Sequence, residues 1–171
     1  MGDSITAGSP WDDDPAVGWP AAAAAADPRL RFSVRAVYGK RTDEIAAWLD
    51  EAATGAEALV VQGGINDIAQ GRPLTDAAAN LAAMVRRGLK LGLRVAVASV
   101  LPWNNGWPGA EAPIRELNAL IATLGVPVLP FHETLEDLER PGRMREEWTV
   151  EGDHPSVAGY RRLGELAFRL P

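Results

Sequence analysis

The sequence predicts an α/β protein: a three-layer α/β/α sandwich around a parallel, flavodoxin-like sheet. Two observations predict it. Short continuous apolar runs, such as Ala58-Leu59-Val60-Val61 and Val95-Ala96-Val97-Ala98, alternate with longer segments of helical spacing. Runs apolar at every position suit strands buried on both faces, which parallel sheets covered by helices provide. A third observation, the length of 171 residues, suits one core better than two, so residues 1–171 are read as a single domain.

The elements follow in order. Residues 21–26, an alanine run after Pro20, suit a helix opened by proline. Residues 31–37 alternate polar and apolar side chains and read as a strand. Residues 42–53 read as a helix with Ile45, Trp48, Leu49 and Ala52 on one face, capped by Thr42 with Asp43 and Glu44 in its first turn. Residues 58–62 form a buried strand ending at Gly63-Gly64. Residues 75–91 form a long helix whose inner face carries Leu81, Met84, Val85 and Leu89. Residues 94–100 are a strand, 110–124 a helix and 126–129 a short strand. Residues 155–170 close the chain as a helix with Val157, Tyr160, Leu163 and Leu166 inward. In such sheets the functional loops lie beyond the carboxyl ends of the strands. That rule gathers the turn at Gly39, the segment 63–67 and the loop 101–109 along one edge.

Composition narrows the chemistry. Hydrophobic residues make up 47% and charged residues 23%, the mixture of a folded globular chain rather than a disordered one. A net charge of −6 is the wrong sign for a phosphate backbone, so nucleic acid is not an expected partner. No apolar run approaches the roughly 20 residues of a membrane span. With no cysteine, disulfides, thiolate metal sites and a cysteine nucleophile drop out. Two histidines, His132 and His154, are too few for a histidine cage. Asp12-Asp13-Asp14 lacks the spacing and glycine of an EF-hand loop and reads as a solvated turn.

Three segments carry chemistry. Gly2-Asp3-Ser4-Ile5-Thr6-Ala7-Gly8 can present the Ser4 hydroxyl on a tight turn, though Gly, Asp and Ser are also ordinary turn residues. Gly63-Gly64-Ile65-Asn66-Asp67 follows a strand, and Asn66 can offer a side-chain N–H to a developing oxyanion. Glu151-Gly152-Asp153-His154-Pro155-Ser156 opens the last helix, and His154 can act as a general base oriented by a nearby carboxylate. In this order the three resemble the SGNH hydrolases, also called GDSL esterases and lipases, over nearly the whole chain. The resemblance implies an α/β/α fold and ester hydrolysis through a serine nucleophile, with no metal or cofactor. It implies Ser4 as nucleophile and His154 as base. It further implies an oxyanion hole from the N–H groups of Ser4 and Gly39 and the amide of Asn66. The family's acid falls on Glu151, where Asp is usual; Asp153, beside the histidine, is the alternative.

The remaining candidates are weighed against these. His132, in Phe131-His132-Glu133, is the competing base, and a loop histidine bonded to backbone is its plainer reading. Asp67 is read as a brace for the Asn66 loop. Trp103 and Trp107 lie at the functional edge and can line a substrate pocket, with Trp11 and Trp19 weaker candidates; Trp48 reads as core.

The expected function is therefore a serine esterase acting on a small-molecule ester of short-acyl, acetylated-sugar or lysolipid type. An acyltransferase would use the same acyl-enzyme. A catalytically silent carbohydrate- or lipid-binding module is the alternative from another class. In the family a buried first strand precedes the serine turn and lies between the second and third strands. Here that strand is missing before Met1, and we expect the natural frame to continue upstream with an apolar run of about 5–6 residues. Location follows the same question: cytoplasmic if Met1 is the true start, with secretion open to a longer chain. Oligomeric state is not encoded in any of these features.

Overall fold

The computed structural model describes residues 1–11 and 13–170, so Asp12 of the triple-aspartate turn lies outside the described residues. Three strands, β1 (Ala58–Val61), β2 (Arg94–Ala98) and β3 (Val128–Leu129), form a parallel sheet in the order β1-β2-β3. The register pairs Ala58 with Arg94 and Val97 with Val128. Helices lie on both faces. On one face α3 (Thr42–Ala46), α4 (Leu49–Ala52), α5 (Ile65–Ala69), α6 (Leu74–Lys90) and α7 (Glu111–Ala122) enclose a core that includes Ile45, Leu81, Val97 and Leu117. On the other, α1 (Ser4–Ala7), α2 (Trp19–Ala26), α8 (Phe131–Leu135) and α9 (Val157–Arg162) enclose Ala96, Ala98, Phe131 and Tyr160. Alternate residues of β2 thus feed opposite cores, as a strand buried on both faces requires.

The predicted strand at 31–37 is not formed. Of that segment only Ala36 pairs, in an isolated parallel bridge with Gly2. The reason lies in its neighbour. Met1 and Gly2 occupy the lane between this segment and β1: the Met1 amine donates to the Val60 carbonyl at 2.8 Å, and Gln62 N–H donates to the Met1 carbonyl at 3.1 Å. On the other side Gly2 N–H donates to the Arg35 carbonyl at 3.0 Å and Val37 N–H to the Gly2 carbonyl at 3.2 Å. Two residues supply too few ladder bonds to hold a partner strand. Beyond Met1 the lane opens into a cavity of about 530 Å³ between residues 29–34 and 54–60. The resulting order, 31–37, Met1-Gly2, β1, β2, β3, is flavodoxin-like.

Three helices depart from the predicted pattern for local reasons. The 42–53 helix breaks at Ala47-Trp48 into α3 and α4. Its cap is Arg41 rather than Thr42, whose hydroxyl is taken by Asp67. In α6, Leu81, Met84 and Val85 are buried but Leu89 is exposed. Gly88 takes the inward position there, so close to Val95 that an added Cβ would stand 2.8 Å from a Val95 methyl. In the last helix the turn Leu163–Ala167 is π-helical. The extra residue per turn rotates Ala167 and Phe168 inward in place of Leu166, which is exposed, as is Val157.

Trp19, weighed above for the substrate pocket, belongs to the core. Its ring stacks on Phe168 and meets Phe131 and Phe32 edge-on. Trp48 packs against the opposite core with the Arg35 guanidinium over its ring.

Candidate active site

Ser4 is the first residue of α1, a single turn that sequence patterning reads only as a loop. Asp3 caps it, its carboxylate accepting Ile5 N–H at 3.0 Å. Gly2 must be glycine here: a Cβ would stand 2.6 Å from both Gln62 Oε1 and Thr6 Oγ1. Gln62, the residue after β1, ties the turn to the sheet by accepting Asp3 N–H at 3.2 Å and the Thr6 hydroxyl at 2.9 Å. Ser4 is therefore mounted on a turn tied to the sheet by these bonds.

His154 reaches this turn from the other end of the chain. Its Nε2 lies 3.1 Å from Ser4 Oγ, and its Nδ1 is hydrogen-bonded to Glu151 Oε1. The segment 149–154 that carries both residues folds back on itself. Gly152 N–H donates to Thr149 Oγ1 and the Thr149 hydroxyl to the His154 carbonyl, each at 2.9 Å. The 101–109 loop holds it from outside, with Asn104 N–H donating to the Gly152 carbonyl and the Asn105 amide to the Glu151 carbonyl. Asp153 points elsewhere: it accepts the Trp103 indole N–H at 2.6 Å. The arrangement can pass a proton from a serine hydroxyl to an imidazole whose far nitrogen faces a carboxylate.

Asn66 is the second residue of α5, whose cap is Gly64; the φ of +121° and close approach to Leu117 there exclude any side chain. One amide N–H of Asn66 donates to the Lys40 carbonyl at 3.1 Å, which orients the amide and leaves its second N–H to donate elsewhere. Asp67 receives Thr42 N–H at 2.9 Å and the Thr42 hydroxyl at 2.7 Å, joining this loop to α3; burial pushes its carboxyl pKa up. Gly39 sits in the facing turn at φ +74°, and its carbonyl accepts from Gln70 at 3.3 Å.

Ser4, His154 and Asn66 line one cleft of about 170 Å³, together with Ile5, Tyr38, Gln62, Val100 and Trp103. Gly39, next to Tyr38 in the chain, is not itself among the lining residues. Trp107 is not among the lining residues; it meets Trp103 edge-on at 5.5 Å. Trp11 is half-buried against the second core. His132 is also outside the cleft. It is buried at the start of α8, its N–H donating to Ser99 Oγ and its Nδ1 3.7 Å from Glu136, and burial lowers its pKa.

Two neighbours, Tyr38 and Gln62, escaped the reading by motif. Tyr38 is an exposed ring 5.7 Å from the His154 ring, and its only signal was adjacency to Gly39. Gln62 could have been found as the last residue of a strand at the functional edge. Asp3 is fully buried, and desolvation pushes its carboxyl up to about 6.

The model of the GDSL-like lipase/acylhydrolase family matches residues 1–162. Among curated proteins, none matches the sequence. Solved structures share the fold at low identity. A protein assigned to the G-D-S-L lipolytic family from Desulfitobacterium hafniense superposes with a TM-score of 0.84 at 22% identity, covering 96% of this chain and 93% of its own. A GDSL-like lipase from Bacteroides thetaiotaomicron gives 0.81 at 21%, with 97% and 82% covered. An acetylxylan esterase from Geobacillus stearothermophilus gives 0.77 at 16%, with 98% and 92% covered.

Proposed function

The chain belongs to the GDSL-like lipase/acylhydrolase family, serine hydrolases of ester bonds, and we propose that it cleaves small carboxylic esters of short acyl groups through an acyl-enzyme on Ser4. The observation that carries this reading is the relay Ser4 Oγ, His154, Glu151 in a cleft that also holds Asn66.

In this mechanism Ser4 Oγ attacks the ester carbonyl while His154 Nε2 accepts its proton. Glu151 keeps the Nδ1 proton in place and faces the imidazolium that forms. The tetrahedral oxyanion is met by donors that need not reorganise: the Ser4 and Gly39 N–H groups and the second N–H of Asn66. His154 then returns the proton to the leaving alcohol, and the C–O bond breaks. Water, deprotonated by His154, releases the acid by the reverse sequence. A cleft of about 170 Å³ has room for a short acyl group, and Trp103, held by Asp153, supplies an apolar wall.

A panel of p-nitrophenyl esters from acetate to palmitate tests the proposal. Hydrolysis of the short esters, lost in Ser4→Ala and in His154→Ala and kept in His132→Ala, is the expected pattern. Full activity in Ser4→Ala would overturn it.

A further inference from the structure

We propose that Tyr38 selects the leaving alcohol, its exposed ring being the surface on which a flat ring in the alcohol half of the ester stacks. This rests on the Ser4–His154 esterase reading and goes beyond it by naming a substrate feature.

Tyr38 is 66% exposed although it lines the cleft. Packing therefore does not explain an aromatic residue at this position. Nor is it on a loose loop. The turn that carries it is held on one side by Val37 N–H bonded to the Gly2 carbonyl. On the other side the Gly39 and Lys40 carbonyls accept from Gln70 and Asn66. A ring presented on a fixed turn loses little freedom when a ligand covers it.

Its place identifies which half of the substrate it meets. The ring centroid is 5.7 Å from that of His154, with the planes 33° apart. His154 must deliver its proton to the leaving oxygen, so that oxygen comes within about 2.6–3.2 Å of the imidazole nitrogen. The carbon it leaves with is then within reach of the Tyr38 ring. Offset stacking and contact with the apolar face of a ring are the interactions an exposed phenol ring offers. An aryl alcohol and a pyranose share that feature, and an open-chain alcohol lacks it.

The test separates the two halves of the reaction, because the alcohol has departed once the acyl-enzyme exists. Three acetates are compared: 2-phenylethyl acetate, a mono-acetylated methyl xylopyranoside and n-hexyl acetate. The expected result is that kcat/KM for at least one ring acetate exceeds that for the hexyl ester. That ratio should fall about 5–10-fold in Tyr38→Leu and be kept in Tyr38→Phe, the range one aromatic pair is worth. Preference for the phenyl or the sugar ester tells which ring is recognised. Deacylation, followed by partitioning of the acetyl-enzyme to hydroxylamine, should not change. Equal losses on ring and open-chain esters, or altered deacylation, would show that Tyr38 merely braces His154 and would overturn the proposal. Failure to trap an acetyl group on Ser4 in the unmodified enzyme would instead overturn the esterase reading beneath it.

Discussion

Trp103 and Asp153 are joined by an indole-to-carboxylate hydrogen bond of 2.6 Å, and that bond turns Asp153 away from the imidazole beside it. Two acidic residues precede His154 within three positions, and the structure gives them different partners. Glu151 bonds Nδ1; Asp153 holds a wall of the cleft.

Glu151→Gln should therefore lower kcat by on the order of 10²–10⁴, the scale on which a mis-set histidine tautomer acts in such triads. Asp153→Asn should cost far less, because an amide oxygen still accepts from Trp103. Steady-state kinetics of the two variants side by side check this, and a larger loss in Asp153→Asn would reverse the assignment.

Asn66→Ala should reduce kcat by about 10²–10³ with little change in KM, since in the proposed mechanism its second N–H meets charge that forms only in the transition state. A loss confined to KM would make Asn66 a binding residue.

Asp3 gives a pH signature. Its carboxyl is raised from 3.8 to about 6 by burial, so the folded protein holds this proton more tightly than the unfolded chain does. The associated stability is complete below about pH 4 and is lost as pH rises through about 6. Asp3→Asn keeps the helix cap and removes the titration. Relative to the parent, the variant should gain on the order of 3 kcal/mol between pH 3.5 and pH 7. Parallel stability curves for the two proteins over that range would contradict the buried, protonating carboxyl.

The lane beyond Met1 predicts a stabilising addition. A Val/Ile-rich strand of five residues fused ahead of Met1 would extend the ladder that Met1 and Gly2 begin, and would remove a buried amine whose pKa is lowered to about 5. Each new ladder hydrogen bond contributes about 0.5–1.5 kcal/mol net, so a few of them should raise Tm by about 5 °C. A Gly/Ser extension of equal length is the control, and an equal response to both would contradict the lane.

The alternation of apolar runs and helical spacing was enough to place β1, β2, α6 and α7, because those elements bury whole faces. It misled at 31–37, where a strand pattern has only Gly2 to pair with, and at Leu166, where a π turn shifts the inward face by one residue. The motif residues Ser4, Asn66 and His154, which share one cleft, stood out in the sequence because the proposed chemistry constrains residue type. Tyr38 and Gln62 were not, since a tyrosine in a turn and a glutamine ending a strand carry meaning only once the cleft is assembled.

The central claim, that Ser4 is activated by His154 for acyl transfer, is tested most directly by a fluorophosphonate. Mass spectrometry of the labelled protein should find one phosphonyl group per chain, on Ser4, with esterase activity lost in proportion and no labelling in Ser4→Ala or His154→Ala. An active protein that stays unlabelled at Ser4, or that labels equally well without His154, would contradict it.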